Sequence, residues 1–349
     1  MSLTKRFNIA YSSVCLLLFS GAQLSAQMPN INIVLGQTYD KVINPKVRTY
    51  GLWYDASHSP TDPSLPIAVY IHPGAWSGGS AYPQLGEPGT LTSGDCDDTK
   101  TIVCYLANIG YAVYSINYTL AVPAEASTEW PVQWQDCECF LKFLAEEAGV
   151  TVPGNPQNIL LFGQSAGAHL AAVTALAPHN AFRTQCSHTS LDYKVTAVAL
   201  ASPPIDLQEI FTNSGIPNTE AAISNLLGCD PGLGAAPACL ALAASANPAS
   251  YVAQGQPPVL VETGYDDDVI PYQFQGALKS AYAALHPPVS SQWIIFGESG
   301  NPPYNHDLDL FLYNPCSSDP NGGEPSPCGS AGAAFADILN FIESPHSPR

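Results

Sequence analysis

The chain has 349 residues, of which 46% are hydrophobic and 11% charged, and its formal net charge is −18. This length and apolar content are sufficient for one α/β domain of generous size with insertions. So acidic a surface repels phosphate backbones, which argues against nucleic acid as a partner.

Residues 1–26 are predicted to form an export signal. Lys5 and Arg6 give it a positive start, an apolar centre follows, and the small residue Ala26 ends the cleavage site. A membrane anchor is the alternative, and it is disfavoured because the apolar run is far shorter than the ~20 residues that cross a bilayer. We therefore expect a mature protein, residues 27–349, that is one domain, secreted or periplasmic, and not associated with a membrane.

The mature region alternates apolar runs with helical patterns. Strands are predicted at 31–35, 47–54, 67–71, 112–118, 159–162, 195–201, 259–262 and 293–296. Helices are predicted at 99–108, 132–148, 166–176, 272–285 and 331–342. This alternation is typical of an α/β fold with a mostly parallel, doubly wound sheet, here of about eight strands with helices on both faces. Two segments, 77–98 and 205–256, do not fit this alternation of strands and helices. They are predicted to be lid-like insertions that line the ligand crevice.

Cysteine usage suggests disulfides. Of ten cysteines, Cys15 lies in the predicted signal, which leaves nine in a compartment where most should pair. Spacing along the chain suggests Cys96–Cys104, Cys229–Cys239 and Cys316–Cys328, and Cys186 with either Cys137 or Cys139. One thiol is then left over. A metal site at residues 137–139 is disfavoured, because no second CxxC or His pair lies near it in the sequence.

Residues 163–167, Gly-Gln-Ser-Ala-Gly, match the G-x-S-x-G pattern between a predicted strand and a predicted helix. At such a turn the serine occupies a strained backbone conformation, and small flanking residues allow the strand and helix to approach closely. Ser165 is therefore the predicted nucleophile. The positive end of the following helix would favour negative charge that develops beside it.

Residues 72–76, His-Pro-Gly-Ala-Trp, directly follow the predicted strand 67–71 and resemble the HGGG or HGGxW loop that supplies backbone N–H donors to an oxyanion. Pro73 has no N–H, but the donors in such loops come from the next positions. We therefore predict an oxyanion hole made by the N–H groups of Gly74, Ala75 and Ala166. His72 is predicted to brace this loop rather than to act as a base.

Residues 264–271 follow another apolar strand and resemble the pattern G-x-x-D-x-x-[VI]-P, whose aspartate orients a catalytic histidine. Three acids are consecutive here. The spacing to Gly264 and Pro271 selects Asp267, and Asp266 is the next candidate.

The base should follow the acid along the chain, which leaves three histidines. His286 ends a predicted helix and His346 lies in the tail, whereas His306 lies in the loop after the strand 293–296. His306 is therefore the predicted base. The resulting order Ser, Asp, His is the one expected of α/β-hydrolases.

Together these motifs resemble an α/β-hydrolase of the esterase/lipase superfamily over about residues 47–343, close to bacterial carboxylesterases and feruloyl-esterase-like enzymes with GxSAGxH elbows. The resemblance implies an acyl-enzyme mechanism, with Ser165 attacking an ester carbonyl, His306 moving the proton and Asp267 holding the imidazole. No cofactor or metal is expected.

Residues 117–121, followed by Trp130-Pro131 and by Gln135-Asp136, resemble the NYRL…P…QD stretch of the same group. Thr119 stands where the group usually has Arg. Asp136 is interpreted as a structural hydrogen-bonding residue, and His169 as a buried residue that packs its helix.

The expected function is hydrolysis of short-chain or aryl esters, of feruloyl or acetyl type, on a small molecule or a polysaccharide. Trp76, Tyr82, Trp130 and Tyr304 lie near the motifs and are candidates for an acyl or aryl pocket, although core packing explains any one of them equally well. One alternative is an arylformamidase-like amide hydrolase, which export disfavours. Another is a non-catalytic binding protein, which would usually have lost one of the three residues of the catalytic triad, here Ser165, Asp267 and His306.

Overall fold

The computed structural model describes residues 31–41, 47–82, 102–179, 181–182 and 185–296, together with His306 and Phe341. Eight strands form one sheet in the order β1-β2-β4-β3-β5-β6-β7-β8. The strands are β1 Ile31–Thr38, β2 Thr49–Asp55, β3 Pro66–Ile71, β4 Ala112–Ile116, β5 Asn155–Gln164, β6 Val195–Ala201, β7 Val259–Gly264 and β8 Ser291–Phe296. Each corresponds to a predicted strand, which confirms the predicted sheet.

Seven α-helices are found in the part of the chain that the structure describes. They are α1 Ile102–Asn108, α2 Val132–Glu147, α3 Ala166–Leu176, α4 Leu207–Asn213, α5 Pro217–Leu227, α6 Pro237–Ser245 and α7 Gly276–Ala283. Short 3₁₀ turns lie at Ala126–Thr128, Pro248–Tyr251 and Tyr272–Gln275. The predicted signal, segment 83–98 of the first insertion and the predicted helix 331–342 lie outside the described residues, apart from Phe341.

Strand pairing makes the sheet mostly parallel. β1 pairs antiparallel with β2, and β2 with β4. All pairs from β4 through β3 to β8 are parallel. Parallel neighbours need crossover connections, which here carry helices.

The core lies on both faces of this sheet. In β3, Ile67, Val69 and Ile71 pack into one hydrophobic cluster with side chains of α2 and α3. The alternate residues Ala68 and Tyr70 pack into a second cluster with side chains of α1. Because successive side chains of a strand point to opposite faces, an apolar run with no alternation requires cover on both sides. The prediction of helices on both faces is confirmed.

The insertion at 205–256 is helical, which the sequence analysis did not predict. It holds α4, α5 and α6 between β6 and β7. Helices α5 and α6 each begin with a proline, which suits a first helical turn. Ile210, Ile223 and Leu226 are fully buried, so these short helices are stabilised by packing rather than by their own length.

The predicted helix 272–285 is also corrected. It is a 3₁₀ turn, Tyr272–Gln275, followed by the shorter α7. No helix among the described residues is long and apolar enough to cross a membrane.

Two predicted disulfides are present, Cys229–Cys239 and Cys139–Cys186. The second resolves the open choice for Cys186. Cys137 is a buried free thiol, and burial raises its pKa. Cys104 is also disulfide-bonded. The predicted partner of Cys104, Cys96, and the predicted pair Cys316–Cys328 lie outside the described residues.

Candidate active site

Ser165 lies at a sharp turn between β5 and α3. Its backbone has φ 53° and ψ −123°, a conformation that is strained for a residue with a side chain. The Ser165 N–H donates to the carbonyl of Ala201 at the end of β6, at 2.8 Å. The neighbouring strand therefore helps to hold the strained turn in place.

The two glycines of the motif are required by close backbone approach. A β-carbon at Gly163 would lie 2.5 Å from the carbonyl carbon of Gly167 and 2.8 Å from the nitrogen of Ala168. A β-carbon at Gly167 would lie 2.6 Å from the carbonyl oxygen of His72. The first glycine thus allows α3 to approach β5, and the second allows α3 to approach the segment that follows β3.

Ser165, His306 and Asp267 are brought together in hydrogen-bonding contact. The Nε2 atom of His306 lies 2.8 Å from Ser165 Oγ, and its Nδ1 atom lies 3.1 Å from each carboxylate oxygen of Asp267. All three residues are at most 9% exposed. Because Nδ1–H donates to the carboxylate, Nε2 presents its lone pair to the serine hydroxyl. The imidazole can therefore accept the hydroxyl proton.

The loop after β7 holds the carboxylate in place. Asp267 Oδ1 accepts hydrogen bonds from the N–H groups of Val269, at 3.0 Å, and Ile270, at 2.7 Å. Asp268 is exposed and Asp266 partly exposed, whereas Asp267 is buried. The structure therefore brings Asp267, rather than Asp266 or Asp268, to His306.

The predicted oxyanion loop follows β3 at the same edge of the sheet, where Ile71 is in register with Gly163. Gly74, Ala75 and Trp76 all have positive φ, at 123°, 53° and 59°. The N–H groups of the next two residues fold back onto the carbonyl of Gly74, at 3.0 and 2.9 Å. This tight turn begins beside the first residues of α3. At the start of a helix the N–H groups, that of Ala166 among them, have no intrahelical partner.

His72 lies buried at the base of the predicted oxyanion loop. Its Nδ1 atom lies 2.7 Å from the carbonyl of Pro73, and its ring stacks on Tyr118 with centroids 4.3 Å apart. The Tyr118 hydroxyl donates to the His72 carbonyl at 3.1 Å. Burial lowers the pKa of His72 to about 4, so the ring is neutral at neutral pH. These contacts fit a bracing residue.

A cavity of about 630 Å³ borders the predicted oxyanion loop on the side of β4. His72 and Gly79 line it from the loop, and Tyr118, Thr119 and Leu120 line it from the segment after β4. Ser165 and His306 are not among the residues that line this cavity, so it lies next to the candidate site rather than at it.

The four predicted pocket residues lie in different places. Trp76 is 2% and Trp130 4% exposed, and their indole N–H groups bond to His169 Nδ1 at 3.2 Å and to Ser245 Oγ at 3.0 Å. Both are core residues beside the site. The structure does not bring Tyr82 to the triad, because its hydroxyl accepts a hydrogen bond from the N–H of Gly36 in β1. Tyr304 lies outside the described residues.

Arg48 is a structural residue that the sequence analysis missed. Its Nε atom donates to Asp136 Oδ1 and its Nη1 atom to Asp40 Oδ2, both at 2.8 Å. The N–H and hydroxyl of Thr119 donate to Asp136 Oδ2, at 2.8 and 2.6 Å. The cation that faces Asp136 therefore comes from just before β2. Thr119 and Arg48 thus bind different oxygens of the Asp136 carboxylate.

Within the ranges that the structure describes, no three His, Cys, Asp or Glu side chains come together as a metal site.

Comparison with known proteins identifies the family. A model of the BD-FAE family matches residues 56–282, which is more than half of the chain. The chain belongs to the BD-FAE family. The match extends from the end of β2 into α7, so it includes the elements that carry Ser165 and Asp267.

A curated relative of this BD-FAE member is esterase LipQ of Mycobacterium tuberculosis, 27% identical over 230 residues. That match covers 63% of this chain and 47% of the relative, so the chain spans about half the length of LipQ.

Solved structures show the fold. Esterase B from Lactobacillus rhamnosis, crystallised with a C6-C4 SN3 inhibitor, is 20% identical, with a TM-score of 0.62 and coverage of 90% of this chain and 87% of that one. A truncated carbohydrate esterase from gut microbiota is 18% identical, with a TM-score of 0.59 and coverage of 91% and 97%. A propionate-bound esterase from Thermogutta terrifontis is 18% identical, with a TM-score of 0.56 and coverage of 90% and 94%. With the sheet order described above, these likenesses establish the α/β-hydrolase fold.

Proposed function

We propose that this BD-FAE member is a secreted serine esterase that hydrolyses carboxylic esters through an acyl-enzyme. The observation that carries the proposal is the 2.8 Å approach of His306 Nε2 to Ser165 Oγ, with Asp267 at 3.1 Å on the other ring nitrogen. An imidazole held between a hydroxyl and a carboxylate is the arrangement that activates a serine nucleophile. The esterase names of its relatives agree with this reading.

In the proposed reaction, Ser165 Oγ attacks the ester carbonyl carbon while His306 Nε2 accepts the hydroxyl proton. Asp267 keeps the proton on Nδ1 and stabilises the imidazolium that forms. When the tetrahedral intermediate collapses, His306 gives its proton to the leaving alcohol. A water molecule then hydrolyses the acyl-enzyme by the same proton transfers in reverse order.

The negative charge of the tetrahedral intermediate is assigned to backbone donors. We propose that the N–H groups of Gly74, Ala75 and Ala166 form the oxyanion hole. Ala166 is the first residue of α3, an 11-residue helix whose N-terminal end favours negative charge. Such donors are effective because they are oriented before the reaction begins.

Short-chain or aryl esters, of acetyl or feruloyl type, are the proposed substrates, either as small molecules or attached to polysaccharide. Support comes from membership of the BD-FAE family and from the likeness in fold to a carbohydrate esterase from gut microbiota. A single domain over residues 27–349 is proposed, with the helical insertion as one wall of the site.

Export is proposed because of the predicted signal at residues 1–26. The disulfides Cys139–Cys186 and Cys229–Cys239 support it, because such bonds persist in oxidising compartments. N-terminal sequencing of protein recovered outside the cytoplasm should begin at Gln27, and an intact leader on the exported protein would contradict the proposal.

The decisive experiment compares the wild type with Ser165→Ala on p-nitrophenyl acetate and butyrate. The wild type should turn over both esters and label with a fluorophosphonate, and the variant should do neither. A folded wild type that neither hydrolyses esters nor labels would favour a non-catalytic protein. Faster turnover of N-formylkynurenine than of any ester would favour an arylformamidase.

A further inference from the structure

His169 connects three parts of the chain that are distant in sequence. It lies on α3, four residues after Ser165, and is completely buried. Its Nδ1 atom lies 3.2 Å from Trp76 Nε1 in the oxyanion loop, and its Nε2 atom lies 2.7 Å from the carbonyl oxygen of Ala246 in the helical insertion. The loop that contains Trp76, helix α3 and the helical insertion therefore all contact one imidazole.

The hydrogen bonds at His169 are compatible with only one tautomer of its neutral ring. An indole N–H can only donate, so His169 Nδ1 must accept from Trp76 and cannot carry a proton. Nε2 then carries the ring's proton and donates it to Ala246. Burial lowers the pKa of His169 to about 4, which keeps the ring neutral at neutral pH.

The oxyanion loop needs an anchor of this kind. Ala75 and Trp76 both have left-handed backbone conformations that side chains disfavour, and such conformations persist only where surrounding contacts hold them. The Trp76 carbonyl accepts a hydrogen bond from Ala121, at 2.8 Å. The Trp76 side chain packs edge-on against His169, with centroids 5.3 Å apart, and donates to it.

His169 is in turn attached to the nucleophile. Its backbone N–H donates to the carbonyl of Ser165 at 3.0 Å, as the first turn of α3 requires. A displacement of the loop relative to Ser165 would have to break the Trp76–His169 bond or move the helix.

We propose that His169 is a positioning residue that, through Trp76, sets the N–H groups of Gly74 and Ala75 at the correct distance from Ser165. The inference rests on the proposed function, in which these N–H groups hold the oxyanion. The proposed role of His169 affects the stability of the transition state rather than the binding of substrate. Breaking the bond should therefore lower kcat and leave KM nearly unchanged.

The first test is Trp76→Phe, which removes the indole N–H and keeps an aromatic ring. We expect kcat on p-nitrophenyl acetate to fall about tenfold or more, because small displacements of oxyanion donors are costly, with KM within about twofold. Trp134→Phe is the matched control. Trp134 is also fully buried, packs against Phe182, and its N–H has no partner among the described residues. That control should keep the wild-type kcat.

The second test separates positioning from packing. In His169→Asn, the amide oxygen can replace Nδ1 and accept from Trp76. In His169→Gln, the amide nitrogen can replace Nε2 and donate to Ala246, but the bond to Trp76 is lost. We expect the Asn variant to retain several times more kcat than the Gln variant. If His169 merely packs the helix, the two variants will lose activity equally, and the proposal is overturned.

Ser165→Ala is measured alongside these variants. If it retains activity, the proposed function fails, and this inference fails with it. If Ser165→Ala is inactive while Trp76→Phe, folded by circular dichroism, keeps full kcat, only the positioning role is wrong. If Trp76→Phe does not fold, the comparison of Asn with Gln at position 169 decides.

Discussion

A β-carbon on Gly167 would overlap the carbonyl oxygen of Ile71, because the first turn of α3 lies directly against the end of β3. The obstruction is backbone, which cannot rotate away as a side chain can. The contact joins the segment that carries Ser165 to the strand that leads into the proposed oxyanion loop.

Gly167→Ala should therefore push these two segments apart. We expect kcat on p-nitrophenyl butyrate to fall by about 10² or more, since displacements of the order of 1 Å at a catalytic centre have this effect. Gly276→Ala is the control, because a β-carbon at the start of α7 would meet nothing within 4 Å. Wild-type kinetics in Gly167→Ala would show that the close approach has no part in catalysis.

Asp267→Asn should lower kcat by about 10³–10⁴, because an amide can stabilise the wrong tautomer of His306. The fold should persist, since the amide oxygen can still accept from Val269 and Ile270. Asp268→Asn removes the same charge from an exposed position and should stay within about twofold of wild type, because surface substitutions away from the site have little effect. A larger loss in Asp268→Asn than in Asp267→Asn would overturn the choice of acid.

Arg48→Met should destabilise the fold by about 3–5 kcal/mol, because it leaves Asp40 and Asp136 buried without their cation. Urea unfolding at neutral pH would measure the change. Lys279→Met removes one positive charge from an exposed position on α7 and should change stability by less than about 0.5 kcal/mol. Equal losses in the two variants would mean that the buried network adds nothing beyond charge.

Stability should decrease as the pH falls from about 6.5 to 4. Burial lowers the folded-state pKa of His169 to about 4 from 6.5, so the unfolded chain binds more protons in this window. At 1.36 kcal/mol per pKa unit, this shift contributes about 3 kcal/mol to the free energy of unfolding. The contribution is lost progressively as the pH falls to 4, and below pH 4 the free energy does not change further through this group. His72 has the same direction of shift for the same reason.

Urea unfolding at pH 7, 5.5 and 4.5 would test this dependence. His169→Asn cannot take up the proton, so its stability should fall less steeply with pH than that of the wild type. Parallel curves for the two proteins would show that His169 does not titrate on unfolding in this window.

Much of the fold and of the candidate site follows from local sequence patterns. The strands were recognisable because a run buried on both faces, such as residues 67–71, needs no polar alternation. Ser165 and Asp267 were recognisable because each motif places small or turn-forming residues at fixed distances from the functional side chain. A spacing of 10 residues made the Cys229–Cys239 disulfide predictable.

What depends on packing between distant segments was decided only by the tertiary structure. Arg48 meets Asp136 across 88 residues of chain, and Trp76 meets His169 across 93. No local periodicity in the sequence predicts such a contact, because the contact depends on how loops and insertions pack against the folded sheet. For the same reason Tyr82, close to the oxyanion motif in sequence, bonds to β1 instead. The sequence by itself determined which groups are available for the chemistry, and only the packing of distant backbone segments decided which residues hold them in place.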